Sequence, residues 1–288
     1  MKFWNSLAFL DADQLIPMAQ LSDELGFHGV TVSDHVVHPE KIETPYPYTA
    51  DGRAWWNEET PWPDPWVLIG ALGAVTERLR FTTNVYVVPL RNVFIVAKTV
   101  ATAALLTGGR VALGMGAGWM REEFDLLGQG FDGRGTRLDE MVEALRLLWT
   151  GATVEYHGDH IDFDRLSVSP APPQQVPIWV GGHSDVALRR AARLDGWMGN
   201  VYQPDEAVAY AERLRDARRA AGTLDRDDYE VALAVYAAPT ADLLRRLEDA
   251  GVTSLLTAPW MFAGSAWTER RAAMEKFAST PQFAERNA

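Results

Sequence analysis

Four short stretches hold the residue types that could do chemistry. Asp34-His35 closes the β-branched run from Gly29 to Ser33. An imidazole at a strand end can exchange a proton or stabilise charge near neutral pH. Thr83-Asn84-Val85 lies within the β-rich run from Leu79 to Val88. Gly116-Ala117-Gly118-Trp119 ends the apolar run from Val111 to Met115. A turn so poor in side chains lets a flat ligand approach the backbone, and Trp119 offers a face to stack on. Gly181-Gly182-His183-Ser184 follows Ile178 to Val180 and precedes a helix-forming segment. Backbone N–H groups there, with Ser184 as cap, suit an anion such as a phosphate.

Each stretch also has a plainer reading. Asp34 can accept backbone N–H bonds while His35 merely packs, Asn84 can be a strand-end turn residue, and Gly181-Gly182 can be an ordinary strand-to-helix turn. His38 stands three residues from His35, but no carboxylate or further His converges at ligand spacing, so no metal is expected. The Gly116 turn reads G-x-G-x-G rather than G-x-G-x-x-G, and the acids that follow, Asp139 and Glu140, fall inside a helix, which excludes a dinucleotide fingerprint. Glu122 and Glu123 read as solvated acids at a helix start. Arg134, Arg137, Asp139 and Glu140 read as helix-start salt bridges, and Arg189 and Arg190 as surface cover.

Several chemistries are absent. The chain has no cysteine, so disulfides, thiolate metal sites and thiol nucleophiles are excluded. Leu7 to Leu10 carries no His-x-His, no G-x-S-x-G elbow occurs, and Lys98 sits within a helical stretch rather than at an apolar strand end. Side chains this weak in reactivity are what an enzyme reliant on a cofactor would present.

The elements that must position these stretches alternate along the chain. Strand-like segments at 3–9, 29–33, 79–88, 110–116, 178–180, 196–200, 229–237 and 252–258 are separated by helical patterns, among them 13–25, 65–78, 93–106, 136–149, 205–221 and 240–250. Eight strand–helix units without a composition break, in 288 residues, predict one α/β domain over 1–288, a (β/α)8 TIM barrel. In such a barrel the strand C-termini carry the site, and all four stretches fall there. Two insertions interrupt the rhythm. Residues 36–65, after strand two, hold Tyr46-Pro47-Tyr48, Trp55-Trp56 and Trp62, and read as either a lid over the site or rim packing. Residues 151–177, before strand five, contain His157-Gly158-Asp159 and Pro170, Pro172, Pro173 and Pro177, and read as an inserted hairpin.

Val32-Ser33-Asp34-His35, Arg80 to Lys98 with Pro89-Leu90-Arg91, Gly114 to Trp119 and Pro177 to Gly182, in this order and spacing, resemble the luciferase-like monooxygenase superfamily, and within it the coenzyme F420-dependent oxidoreductases. The resemblance implies hydride transfer between the deazaflavin and a small organic substrate. FMN is the alternative cofactor, with luciferase-type monooxygenation, and a non-catalytic flavin- or deazaflavin-binding protein is the third reading. It also implies His35 near the ring with Asp34 beside it, a bulge with a non-prolyl cis bond at Asn84–Val85 behind the ring, the Gly116-Ala117-Gly118-Trp119 turn against the cofactor, and its phosphate at Gly181-Gly182-His183-Ser184. In related sugar dehydrogenases a Glu proton donor follows the glycine turn. Here Trp119 stands at that position, so that donor does not carry over. The resemblance further implies a homodimer.

Charge limits the partners. Lys plus Arg number 27 against 39 Asp plus Glu, a net charge of −12, which argues against nucleic acid and anionic membranes. Met1 to Asp13 has one Lys and a short apolar stretch, unlike a signal peptide, and the run Trp66 to Val75 is too short to span a bilayer. A cytoplasmic protein is the expectation.

Overall fold

The structure, a computed structural model, describes residues 1–287. In chain order its elements are β1 (Lys2–Ser6), α1 (Leu15–Glu24), β2 (Gly29–Val32), α2 (Pro65–Gly73), β3 (Arg80–Thr83), β4 (Tyr86–Val87), α3 (Val93–Leu106), β5 (Val111–Gly116), α4 (Arg121–Leu126), α5 (Arg134–Leu148), β6 (Val154–His157) and β7 (Asp162–Leu166). Then follow β8 (Ile178–Gly181), α6 (Asp185–Ala191), β9 (Gly196–Tyr202), α7 (Pro204–Ala221), β10 (Glu230–Val235), α8 (Ala241–Asp249), β11 (Ser254–Thr257), α9 (Trp267–Ala278) and α10 (Pro281–Asn287).

The parallel strands close on themselves. β1 pairs with β2 on one side and β11 on the other, and β3 and β4 both pair with β5, so nine strands make eight staves of a TIM barrel. β6 and β7 form the antiparallel hairpin inserted before β8. β5 is buried at every position, as a strand covered on both faces must be. Helix starts follow from local chemistry. Asp64 accepts the N–H groups of Trp66 and Val67 ahead of Pro65, Asn92 caps α3, Ser184 caps α6, Thr240 caps α8, and Gln203 with Glu206 forms a capping box on α7.

The third stave is not continuous from 79 to 88: it breaks between Thr83 and Tyr86, where the Asn84–Val85 peptide is cis, as the family resemblance implies, and the Asn84 N–H reaches back to the Val32 carbonyl at 2.6 Å. A short helix, α10, follows α9 and brings Phe283 against Phe3, Phe27 and Phe277, with ring centroids 4.7–5.6 Å apart.

The barrel interior is filled by Trp4, Ala112, Trp179, Met198, Ala232 and Leu256, with Val85 packed against them. Below, at the N-terminal end, a cavity of about 290 Å³ is lined by Lys2, Trp4, His28, Arg80 and Glu230 among others. The Glu230 carboxylate takes Lys2 at 2.6 Å and the Ser254 hydroxyl at 2.6 Å, so its charge is matched internally. Burial, with Lys2 and Arg80 nearby, lowers the His28 pKa from 6.5 to about 4.

A neutral His28 in the fold has a consequence in acid. Its pKa is depressed on folding, so between about pH 6.5 and 4 the unfolded chain binds more protons than the folded one. Stability from this group is complete above that window and is lost as pH falls through it. The loss is about 1–2 kcal/mol after solvent screening at this partly open end. Urea unfolding across the window should show this slope in the native protein and a flatter one in His28→Gln.

Candidate functional site at the barrel mouth

The floor of the C-terminal mouth is Val85. A Cβ on Gly116 would lie 2.7 Å from the Val85 side chain, and one on Gly181 would lie 2.5 Å from it. The two glycines therefore make room for the valine first, which is a different reason for glycine from close approach by a ligand. Gly114 is bare for the same kind of reason: a Cβ there would sit 1.9 Å from the Thr83 carbonyl. The bulge is pinned around its edge. The Thr83 hydroxyl donates to the Gly114 carbonyl at 2.6 Å, and the Ser33 hydroxyl donates to the Asn84 carbonyl at 3.2 Å.

Asp34 is buried beneath this rim. It accepts both arms of the Arg91 guanidinium, at 2.6 and 2.7 Å, and the Val87 N–H at 2.9 Å. Burial pushes the Asp34 carboxyl up, and the Arg91 hydrogen bonds oppose it. For Arg91, burial works against the charge and the bonds to Asp34 outweigh it. A fork-to-carboxylate contact of this geometry is an ion pair. Its two oxygens are fully engaged, so Asp34 is placed to hold the end of β2 against β4.

His35 points the other way, into the mouth. Its ring lies 5.1 Å from Trp56, 5.3 Å from Trp62 and 6.3 Å from Trp119, and its Nδ1 is 3.4 Å from Glu123 Oε2. Glu123 corrects the expectation of a solvated acid: it is only 2% exposed. Its Oε1 accepts the N–H of Val36 at 2.6 Å and of Val37 at 3.4 Å. The neighbouring Glu122 accepts the N–H groups of Glu43 and Thr44 at 2.7 and 2.9 Å. Together the two acids of α4 fasten the first part of the 36–65 insertion. A signal for Glu123 was present: Met120, Glu123 and Phe124 share one helical face, and two of the three are apolar.

The aromatic insertion covers the mouth. Tyr46 lies 5.0 Å from both Trp56 and Trp119, Tyr48 lies 5.0 Å from His183, and Trp55 and Trp62 pack on Phe9 at 4.6 and 5.1 Å. Phe9 itself has φ 70°, a left-handed backbone held under these rings. The cover bridges His35 on one side and His183 on the other, which is lid geometry.

The Gly181–Ser184 loop forms the far wall. Gly182 has φ 104°, its carbonyl accepts Trp197 Nε1 at 2.7 Å, and the Ser184 hydroxyl caps α6 through the Ala187 N–H. His183 stacks on Tyr210 at 5.3 Å, and burial lowers its pKa. Several buried polar atoms at the mouth have no hydrogen-bond partner among the described residues: His183 Nδ1, Trp56 Nε1 and Trp62 Nε1. Buried polar groups are normally satisfied, so each of these has room for a bond to water or ligand.

Other charges hold the walls. Arg190, expected at the surface, is 7% exposed and grips Asp139 through two nitrogens at 2.6 and 3.0 Å. Arg134 donates to the Gly118 carbonyl at 3.0 Å and so steadies the Gly116–Trp119 turn. Arg137 donates to the Pro89 carbonyl at 3.0 Å, and Glu140 accepts the N–H groups of Asp159, His160 and Ile161. Of Arg134, Arg137, Asp139 and Glu140, expected as helix-start salt bridges, Asp139 alone makes one among the described residues, with Arg190. Among the described residues, no group of three or more His, Cys, Asp or Glu is placed to hold a metal, and no helix is long and apolar enough to cross a membrane.

Comparison with known proteins follows this geometry. The family described as luciferase-like monooxygenase matches residues 6–284. An uncharacterised protein of Mycobacterium tuberculosis is 40% identical over 256 residues, covering 89% of this chain and 88% of its own. An F420-dependent glucose-6-phosphate dehydrogenase of Microbacterium testaceum is 31% identical over 71% of this chain and 57% of its own. Among solved structures, a monooxygenase from Streptomyces bottropensis superposes with a TM-score of 0.75 at 20% identity over all of both chains. An F420-dependent secondary alcohol dehydrogenase bound to an F420-acetone adduct gives 0.75 at 18% identity over 98% of each. At these identities the superpositions establish the fold.

The Val85 seat yields a test by paired substitution. Gly116→Ala should lower stability by about 1–3 kcal/mol through overpacking. Val85→Ala should recover most of that loss in the double variant, because the clash has one partner. Denaturant unfolding of the two single variants and the double variant measures the coupling.

Proposed function

Because the chain belongs to the luciferase-like monooxygenase family, we propose that it is a coenzyme F420-dependent oxidoreductase acting on a small organic substrate. The observation that carries this reading is His35, an imidazole beside a buried carboxylate among Trp56, Trp62 and Trp119. The F420-dependent dehydrogenase relatives support the cofactor.

Two features of the mouth support such a group: the apolar Val85 at its base and the buried polar atoms of His183, Trp56 and Trp62 without partners. Val85, with Thr83 and Asn84 behind it, would back the ring. Gly116, Ala117 and Gly118 would line its edge, and Trp119 would flank it. Gly181, Gly182, His183 and Ser184 would meet the phosphate. When bound, the deazaflavin would supply or accept a hydride at its ring carbon. His35 would hold or release a proton at the substrate atom. Asp34, fully engaged by Arg91 and Val87, would keep the end of β2 in place rather than react. Trp119 cannot donate a proton as an acid, so His35 would carry the proton work alone on this side. The lid of Tyr46, Tyr48, Trp56 and Trp62 would exclude water and select apolar or planar substrates. Exposed apolar side chains on α2 and α3, Val67 and Leu106 among them, support pairing of two copies, which light scattering reads directly.

Titration with oxidised F420 and, separately, with FMN should show tight binding of the deazaflavin, read from cofactor fluorescence. Preferential binding of FMN would replace this reading with oxygen-activating monooxygenation, and binding of neither would overturn both. Given a substrate from an anaerobic screen, His35→Ala should reduce kcat by about 10²–10⁴-fold with little change in F420 affinity. F420 binding with no hydride transfer to any substrate would leave a binding protein.

A further inference from the structure

We propose that Glu123 is a positioning residue that sets the tautomer of His35, so that the neutral imidazole keeps its proton on Nδ1 and presents Nε2 with a bare lone pair. The proposal concerns the free protein, and its importance rests on the reading of His35 as the proton-transfer group.

The geometry leaves one arrangement. Oε1 of Glu123 is taken up by the N–H of Val36 at 2.6 Å, with Val37 at 3.4 Å, which fixes the carboxylate plane. Oε2 then faces His35 Nδ1 at 3.4 Å. A carboxylate offers lone pairs and no proton, so a hydrogen bond here requires Nδ1–H. Neutral imidazole has one N–H, and Nε2 is left as the acceptor. Among the described residues no other group bonds the His35 ring. Its remaining neighbours are the indoles of Trp56, Trp62 and Trp119. The charged groups nearby are Asp34 on its own segment, paired with Arg91, and Glu122 on α4, whose Oε1 is taken up by the lid backbone. Glu123 is thus the group that decides which nitrogen carries the proton. A side chain 3% exposed cannot swing away to solvent.

The same carboxylate ties the tautomer to the lid. Val36 and Val37 begin the 36–65 insertion, so the bonds that place its first residues also orient the imidazole. A base at Nε2 matches removal of a proton from a substrate hydroxyl, whereas the opposite tautomer would present a donor.

Two-bond ¹H–¹⁵N correlation spectra of protein labelled at histidine nitrogens report the tautomer directly. The native protein should show His35 with Nδ1–H and an unprotonated Nε2. In Glu123→Gln the carbonyl oxygen can still accept Val36 N–H, while the amide NH2 faces Nδ1 as a donor. His35 should then invert to Nε2–H, with its proton-free nitrogen facing the amide. Glu123→Asp should restore the native tautomer. His28, at the opposite end of the barrel, serves as the control, since its resonances should not move if the fold is intact. A native His35 with Nε2–H, or a tautomer unchanged in Glu123→Gln, overturns the proposal. If Glu123→Gln does not fold, the native tautomer and Glu123→Asp still decide it. Failure of F420 to bind the native protein would remove the proposed function and leave the tautomer assignment standing.

Discussion

The barrel has a fixed girth, and everything at its mouth depends on how that girth is filled. Three interior side chains, Trp4, Trp179 and Val85, face wall positions that have given up their Cβ. Trp4 occupies the space a Cβ on Gly29 would claim at 2.3 Å, and Trp179 does the same to Gly196 at 2.6 Å. Val85 repeats the arrangement one layer higher against Gly116 and Gly181, and it packs on the same interior cluster. Interiors are packed to the density of organic crystals, so a methyl group added at any of these walls has nowhere to go. The floor of the site is therefore the last layer of the core, with the rigidity of the core.

Rigidity at the floor has to be transmitted to strand ends that no longer pair with neighbours. There the protein uses carboxylates, two of them buried. Asp34 joins the end of β2 to β4 and to Arg91, Glu123 joins α4 to the first residues of the insertion, and Asp139 joins α5 to Arg190 on α6. Each of these acids satisfies N–H groups from a different segment. Replacing one would leave several buried donors without partners, a larger loss than the deletion of one bond. His35 hangs between the first two of these clamps, which is why its ring is placed so narrowly although it lies on a loop.

The barrel was legible in the sequence because its signals are periodic and local. Apolar runs at Val30 to Val32 and Val111 to Met115, cap residues such as Asp64 and Ser184, and the glycine stops all act within a few positions of themselves. The insertions were legible by composition. What escaped was long-range pairing. Glu123 meets His35 and Val36 across more than eighty residues, and Arg190 meets Asp139 across fifty-one. An acid written next to Glu122 and Arg121 looks solvated until its helical face is traced. The glycines show the same limit in another form. Position 116 is required to be small, but the reason, a valine thirty-one residues earlier, is a property of the closed barrel.

Both ends of the barrel are clamped by bonded polar groups, and at both a few buried polar atoms have no partner among the described residues. At the N-terminal end Glu230, Lys2, Ser254 and Trp4 bond to one another, while the Tyr229 hydroxyl and Arg218 Nε are buried without a partner. At the C-terminal end the clamps are equally complete, yet directly above them His183 Nδ1, Trp56 Nε1 and Trp62 Nε1 are buried and unbonded. A buried donor without a partner costs of the order of 1–3 kcal/mol, and a ligand or a water that bonds it recovers that cost. The clamps hold the shape of the mouth, and under the proposed function the bare groups of His183, Trp56 and Trp62 would be the ones a ligand meets.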